Sequence, residues 1–589
     1  MSNPKVSGKV YDSKLLRRLF SYVKPYRIPF AQALGLTILV ALLVPFRPLL
    51  VQMALDVYIA IRDVEGLRMI VLLILGLLVI QGIIMYGNTY LTNWLGQSII
   101  RDIRKQVFEH IMHLQLKYFD RTPIGMLQTR TINDVEVLND VFTSGLVRIL
   151  GELLQLIAIL GFMLWLNWKL TLAVLTTLPL MILATYVFKN KVKGAFTRVR
   201  QAVSDMNAFL QEHLTGMQIV HIFNREEVEM DKYKAVNAKL RKANVNSVLY
   251  YAIYFPVMEI IIALSLGVLV WFGAGNVVEG EVRIGELVAF IMYTQMFFRP
   301  LRQLADQFNM LQLGMVSGER IFKVLDTQEF IPDEGKLESL PGNEKEISIS
   351  FEDVTFAYID EDWVLQDINF EVEPGKKVAL VGSTGSGKST IINLLSRFYE
   401  IQKGSIKING TDIKEYKLSY LRSLTGVVLQ DVFLFSGSIY HNITLNSDEI
   451  PLERVIEAAK RVGAHDFISQ LPGAYEYEVQ ERGATLSLGQ RQLIAFARVM
   501  VYDPRILVMD EATANIDTES EEVIQHAVDT VMAGRTSIII AHRLSTIQKA
   551  DQIIVLSAGR IIESGTHDSL MQEKGSYFEL HQMQFGEVI

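Results

Sequence analysis

The first half of the chain alternates long apolar runs with long polar ones, and the second half alternates short apolar runs with Gly-rich turns. A helix needs roughly 20 apolar residues to cross about 30 Å of hydrocarbon. Six runs before residue 320 meet that length: 28–58, 68–98, 142–166, 169–188, 248–274 and 285–312. Several exceed the minimum and are interrupted by polar residues, which predicts helices that line a cavity and continue past the membrane as amphipathic rods. The stretches "RDIRKQVFEHIMHLQLKYFD" and "AFTRVRQAVSDMNAFLQEHL" in the two long connections have that helical spacing, which disordered basic loops would lack.

From about residue 346 the period changes. "ISISFEDVTFAYID" alternates as a half-buried strand, while "KKVALVG", "RILVMD" and "TSIIIAH" are short apolar strands followed by helical segments. That order predicts an α/β domain with a largely parallel sheet. The expected organisation is a polar N-terminal segment 1–27, a six-span domain 28–317 with helical extensions, a linker 318–345 and the α/β domain 346–589.

Composition agrees with two kinds of domain. At 589 residues the chain is too long for one core, and 50% hydrophobic residues with 21% charged fit a membrane part joined to a soluble part. The net charge of -7 and the lack of a basic tail give no nucleic-acid surface. With no cysteine, disulfides, thiolate metal sites and cysteine nucleophiles are excluded. "MSNPKVSGKVYDSKLLRRLFSYVKPYR" is basic and polar before any long apolar run, unlike a cleaved signal peptide, so the first span is expected to be retained.

Loop charge orients the spans. Residues 99–140 contain six Lys or Arg and residues 189–246 eleven, whereas the opposite connections 60–68, 167–168 and 275–284 contain only Arg62, Arg68 and Arg283. The positive-inside rule then places the long loops, both termini and the α/β domain in the cytoplasm.

"GSTGSGKST", Gly382 to Thr390, lies between the strand "KVALV" and the helical "IINLLSRF", the strand–loop–helix setting that a phosphate loop requires. Gly382, Gly385 and Gly387 let backbone N–H groups face phosphate oxygens; Lys388 adds a positive charge near the terminal phosphates and Ser389 a hydroxyl for Mg²⁺. The strand "ILVM" ends on Asp510 and Glu511, the first suited to Mg²⁺ and the second to taking a proton from attacking water. His542 ends the strand "SIIIA" within reach of a γ-phosphate. The fold class is thus multidomain, an all-α six-helix transmembrane domain followed by an α/β P-loop ATPase domain.

Within the spans, Arg47, Glu152 and Glu259 each lie roughly 20 Å from the outer helix ends at 1.5 Å per residue. Charges at that depth are expensive and mark functional candidates. They would either form a charged element of a substrate site, with Glu259 meeting cationic or amphipathic cargo, or lock helices as an Arg–carboxylate pair.

Taken in order, the motifs resemble the nucleotide-binding domain of ATP-binding cassette transporters, and the spans before them resemble the membrane domain of a bacterial ABC exporter half-transporter of the multidrug or lipid type. The resemblance implies that Tyr358 stacks on adenine and that Gly382, Ser383, Thr384, Gly385, Ser386, Gly387, Lys388, Ser389 and Thr390 form the Walker A loop. It makes Gln430 in "VVLQD" a ligand of Mg²⁺ and water, Asp510 and Glu511 the Walker B pair, "ANID" with Asp517 the D-loop, "QERG" at 480–483 the X-loop and His542 the switch histidine. "LSLGQ" at 486–490 is similar to the signature, whose Ser487, Gly489 and Gln490 would reach the ATP of a partner chain. Short coupling helices are implied near "FDRTPIGMLQTR" and "GMQIVHIFNR". The implied protein is a multi-pass ATP hydrolase of the bacterial inner membrane, using ATP and Mg²⁺, paired with a second half-transporter. It would export hydrophobic or amphipathic compounds by alternating access. A homodimeric lipid flippase and an ATP-binding sensor without transport remain alternatives, though Glu511 and His542 speak for turnover.

The family signature usually reads Leu-Ser-Gly-Gly-Gln, so Leu488 replaces its first glycine where backbones approach closely. In heterodimeric exporters the half with intact catalytic residues commonly carries the altered signature. The expectation is therefore a catalytically competent half that pairs with a homologous, non-identical chain.

Overall fold

The computed structural model describes residues 13–341, 346–510, 518–541 and 543–585. They divide into two compact units, Met1–Met112 with Ile124–Thr327 and His113–Pro123 with Gln328–Ile589.

The first unit is helical. A short helix α1 (Ser13–Ser21) leads into α2 (Arg27–Leu43) and α3 (Phe46–Met53), which part at Val44–Pro45, where the proline cannot donate to the helix ladder. Next come α4 (Val64–His113) and, after a small helix α5 (Leu116–Arg121) that belongs to the second unit, α6 (Ile124–Thr129), α7 (Val135–Asp140) and α8 (Val147–Leu166). The side chain of Asn167 accepts from the backbone N–H groups of Lys169 and Leu170, starting α9 (Trp168–Leu175) after a turn of one residue. α10 (Leu178–Thr215) restarts the helix with Pro179 in its first turn, where the missing N–H costs nothing. The small helix α11 (Met217–Ile222) then precedes α12 (Glu226–Val278) and α13 (Ile284–Leu325).

Five helical runs among the described residues are long and apolar enough to cross a membrane: Lys24–Ile59, Val64–His113, Ile124–Leu166, Trp168–Thr215 and Glu226–Val278. The sixth apolar stretch forms the front of α13. In α4 the pattern shows where a span leaves hydrocarbon. Its first half faces outward almost everywhere, whereas Thr92, Leu95, Ile99, Ile103, Val107 and Ile111 form one buried stripe at three- and four-residue intervals. Helix α13 runs on to Leu325, past the expected linker start at 318, because Ile321, Phe322 and Val324 are buried. The core of this unit packs Ile159 and Met163 of α8 and Leu170 of α9 against Met258 of α12 and Phe290 and Tyr293 of α13. The Tyr293 hydroxyl donates to the Pro45 carbonyl at 2.6 Å, using an acceptor at the kink.

The second unit contains β1 (Ile349–Ala357), β2 (Trp363–Val372), β3 (Lys377–Gly382), β4 (Lys403–Ile408), β5 (Thr411–Asp412) and β6 (Thr425–Val428). After the two-residue β7 (Gly437–Ser438) and β8 (Glu478–Val479) come β9 (Ile506–Asp510), β10 (Thr536–Ile540), β11 (Gln552–Ser557) and β12 (Arg560–Gly565). The main sheet has the order β12-β11-β3-β10-β9-β6, parallel except at β12, and an antiparallel sheet β2-β1-β4-β5 packs beside it. All five residues of β10 and the first four of β9 are buried, as parallel strands covered on both faces require.

Candidate functional site

Strand β3 lies between β10 and β11 and delivers the chain to the loop Ser383–Gly387 and the helix α14 (Lys388–Leu395). Two glycines make this path possible. A Cβ on Gly382 would sit 2.2 Å from the Leu556 carbonyl oxygen, and Gly387, in the left-handed region at φ +102°, would press a Cβ to 2.5 Å from Leu365. The loop therefore turns tightly into α14, whose first N–H groups face an incoming anion.

Lys388 folds back over the loop. Its Nζ donates to the carbonyls of Gly382 at 2.8 Å and Ser383 at 2.9 Å and lies 3.4 Å from Ser386 Oγ. Burial lowers its pKa, and the Asp510 carboxylate opposes that shift. Asp510 ends β9, and Ser389 Oγ donates to its Oδ2 at 3.3 Å. A hydroxyl and a carboxylate side by side form an oxygen-only donor pair of the kind Mg²⁺ prefers. Strand β6 runs parallel to β9 with Val428 opposite Met509, so Gln430, which is exposed, follows the same carboxyl edge. Glu511, Asp517 and His542 lie outside the described residues; in sequence, Glu511 follows the last residue of β9 and His542 follows Ala541 just beyond β10.

Tyr358 stands beside the loop, its hydroxyl donating to Thr390 Oγ1 at 3.2 Å. Its ring meets Tyr399 edge-on, 5.0 Å between centroids. The helix α5 reaches this aromatic pair twice: Arg121 Nη2 donates to the Tyr358 carbonyl at 3.1 Å, and the Tyr399 hydroxyl donates to Asp120. Burial, and then the Asp120 carboxylate, push the Tyr399 phenol well above its ordinary pKa. Motif reading missed Asp120, Arg121 and Tyr399. The only sequence signal was the "FDRTP" turn, which gave a coupling helix and no partner.

The signature segment starts the helix Leu488–Tyr502. Ser487 is its N-cap: Ser487 Oγ accepts from the Gln490 N–H at 3.2 Å, while Gln490 Oε1 accepts from the Ser487 N–H at 3.0 Å. Gly489 is buried, and Leu488 is half-buried at the first helical position. Leu486 and Leu493 belong to the hydrophobic core beneath, and Leu488 does not.

In the helical unit, Arg47 and Glu152 line one cavity of about 690 Å³. Glu259 lies outside its wall, exposed on α12. Glu152 accepts from Arg148 Nε at 3.0 Å, one helical turn away, and Arg299 also reaches the wall. Gln81, Asn88 and Gln155 add uncharged polar groups. Among the described residues, three arginines against one glutamate leave the charged lining positive, and Arg47 Nε is buried without a hydrogen-bond partner. Arg148 and Arg299 were missed in the sequence, although each is a charge inside a predicted span.

Two family models match the chain, "ABC transporter transmembrane region" over residues 31–301 and "ABC transporter" over residues 365–514. The chain is 39% identical over 590 residues to the uncharacterized ABC transporter ATP-binding protein YknV of Bacillus subtilis, covering 100% of this chain and 97% of the relative. It is 37% identical over 533 residues to the probable multidrug resistance ABC transporter ATP-binding/permease protein YheH of the same organism, covering 89% and 78%. With an ATP-dependent lipid A-core flippase of Thiobacillus denitrificans it shares 35% identity over 575 residues, covering 97% and 99%.

Proposed function

The chain belongs to the ABC transporter family, and from that premise we propose that it is one half of a dimeric exporter whose substrate is an amphiphile with an anionic head group. Membrane and ATPase parts occur in one chain, and ATP hydrolysis drives the transport. The named relatives include both multidrug and lipid A-core transporters, so the choice of substrate falls to the cavity. The observation that carries the choice is the excess of Arg47, Arg148 and Arg299 over Glu152 on its wall. Guanidiniums that outnumber the carboxylate on the wall, with Arg47 Nε buried and unbonded, favour a phosphate or carboxylate over a cationic drug, and Arg presents a fork that fits either.

In the ATPase unit, Lys388 and the α14 N–H groups would hold the β- and γ-phosphates, and Tyr358 would stack on the adenine. Ser389, Asp510 and Gln430 would hold Mg²⁺, which supplies positive charge to the phosphate oxygens when bound. Glu511 would polarise the attacking water and His542 would contact the γ-phosphate. Ser487, Gly489 and Gln490, with Asp517 of the D-loop, would complete the partner's ATP site. The half-buried Leu488 supports a heterodimer in which this chain supplies the competent Walker residues. The basic long connections support a cytoplasmic ATPase and cytoplasmic termini in the cell membrane.

The test is ATPase stimulation and transport in vesicles, with anionic, zwitterionic and cationic amphiphiles sharing one acyl chain. The anionic series should stimulate most, and Arg148→Gln with Arg299→Gln should abolish the difference. Equal or stronger stimulation by the cationic series rejects the head-group assignment.

A further inference from the structure

A second cavity, of about 680 Å³, lies between α9 and α12 and shares no residue with the arginine-lined one. Its wall is almost wholly apolar: Leu172 from α9, and Gly267, Trp271 and Phe272 from α12, with Trp168 and Lys169 at the start of α9. Gly267 makes the hollow, since a Cβ there would meet nothing within 4 Å. Trp168 is 60% exposed and Trp271 87%, far more than indoles in a protein core.

The depth of the groove matches one leaflet. Thr176 lies eight residues below the start of α9, and Leu264 lies fourteen residues below Val278 at the end of α12, or about 12 and 21 Å at 1.5 Å per residue. Half of a hydrocarbon core of about 30 Å is an acyl chain's length. Trp168 sits at the upper end, where aromatic side chains gather at a membrane–water interface, and Trp271 lies about 10 Å below Val278 in the middle of the groove.

The mouth carries both charges. Lys169 Nζ lies 3.2 Å from Glu281 Oε2 in the turn after α12, and both side chains are at least half exposed. A purely anionic head group would meet Glu281 and a purely cationic one would meet Lys169. A zwitterion with a phosphate and a primary ammonium satisfies both, the phosphate accepting from Lys169 and the ammonium donating to Glu281. A quaternary ammonium has no N–H to donate.

We propose that the α9–α12 groove is a retained-lipid site for a phosphoethanolamine lipid, with one acyl chain along Leu172, Gly267 and Phe272 and the head group bridging Lys169 and Glu281. This leaflet is the outer one on the topology proposed above; the binding itself does not depend on sidedness, ATP or the transported substrate.

The test uses the full-length protein with Trp94, Trp165 and Trp363 replaced by Phe, leaving Trp168 and Trp271 as reporters. It is reconstituted with increasing fractions of lipid brominated on the acyl chains, bearing phosphoethanolamine, phosphocholine or phosphoglycerol heads. Half-maximal quenching should need about three- to fivefold less phosphoethanolamine lipid than either other lipid, the scale of one interfacial charge pair. Lys169→Gln with Glu281→Gln should erase that preference, and Gly267→Leu should raise the required fraction of all three lipids. Basal ATPase, which uses none of these residues, reports that the variants are folded. Equal quenching by the three lipids, a preference for phosphoglycerol, or a preference that survives the double substitution overturns the proposal.

Discussion

Leu488→Gly should raise the ATPase rate of the chain purified alone. The leucine is half-buried at the first position of the helix Leu488–Tyr502 and stands outside the core formed by Leu486 and Leu493. Removing it opens no core cavity, so the roughly 2–5 kcal/mol cost of a buried Leu truncation does not arise. Glycine loses at most about 1 kcal/mol of helix propensity, and less at the first position than inside. The capping box between Ser487 and Gln490, worth about 1 kcal/mol, is untouched because each partner is bonded through groups that the substitution leaves in place. Folding should therefore weaken by under about 1 kcal/mol. On the catalytic side, under the proposed function a side chain is withdrawn from the place where the signature amides would approach the partner's phosphates. One misaligned oxyanion donor commonly costs 10²–10³ in rate, so recovery of about tenfold or more is expected. The assay is phosphate release by the wild type and the variant, each reconstituted alone at saturating ATP and Mg²⁺, with protein concentration varied to report dimerisation. A wild-type chain that is already fast, with a variant within about twofold of it, refutes the reasoning: Leu488 would then be tolerated and a homodimer would suffice.

Other outcomes follow from single contacts. Lys388→Met should lower ATP turnover by about 10²-fold or more, while thermal unfolding shifts little, because the substitution removes both three hydrogen bonds and a buried charge. Tyr399→Phe removes the bond to Asp120 and should reduce substrate-stimulated ATPase more than basal ATPase; equal loss of both would make Tyr399 merely structural. Gly285→Ala would push a Cβ to within 2.6 Å of Asp56, whose Oδ1 accepts from the Gly285 N–H, and should lower thermal stability by about 1–3 kcal/mol. Hydrogen exchange around 209–232, corrected for the intrinsic base-catalysed rate, should lose protection as pH rises above neutrality. His213 Nε2 lies 2.6 Å from Glu229, which raises the histidine's pKa above 6.5, so the bond's contribution is complete below 6.5 and is lost as pH climbs through the raised value. His213→Gln should remove that pH dependence.

Much of this protein is legible without coordinates because two of its constraints are local. A bilayer demands about 20 apolar residues per helix, and a phosphate loop demands fixed residue types between a strand and a helix. Hence the spans, the parallel strands and the stretch Gly382 to Thr390 can be read directly. The buried stripe of α4 also follows from its spacing, and so does the capping role of Ser487 ahead of Gln490.

Tertiary structure decided what meets what. Arg47, Glu152 and Glu259 look equivalent by depth, yet depth is set by count along a helix and facing by rotation about it. Packing turned Arg47 and Glu152 toward a cavity with Arg148 and Arg299, and left Glu259 on the surface. The partnership of Asp120 and Arg121 with Tyr399 and Tyr358 joins residues more than two hundred positions apart, which no local period encodes. Leu488 lies between the two cases: the sequence marked it as a departure, and the fold, by leaving it outside the core, removed packing as the reason for it.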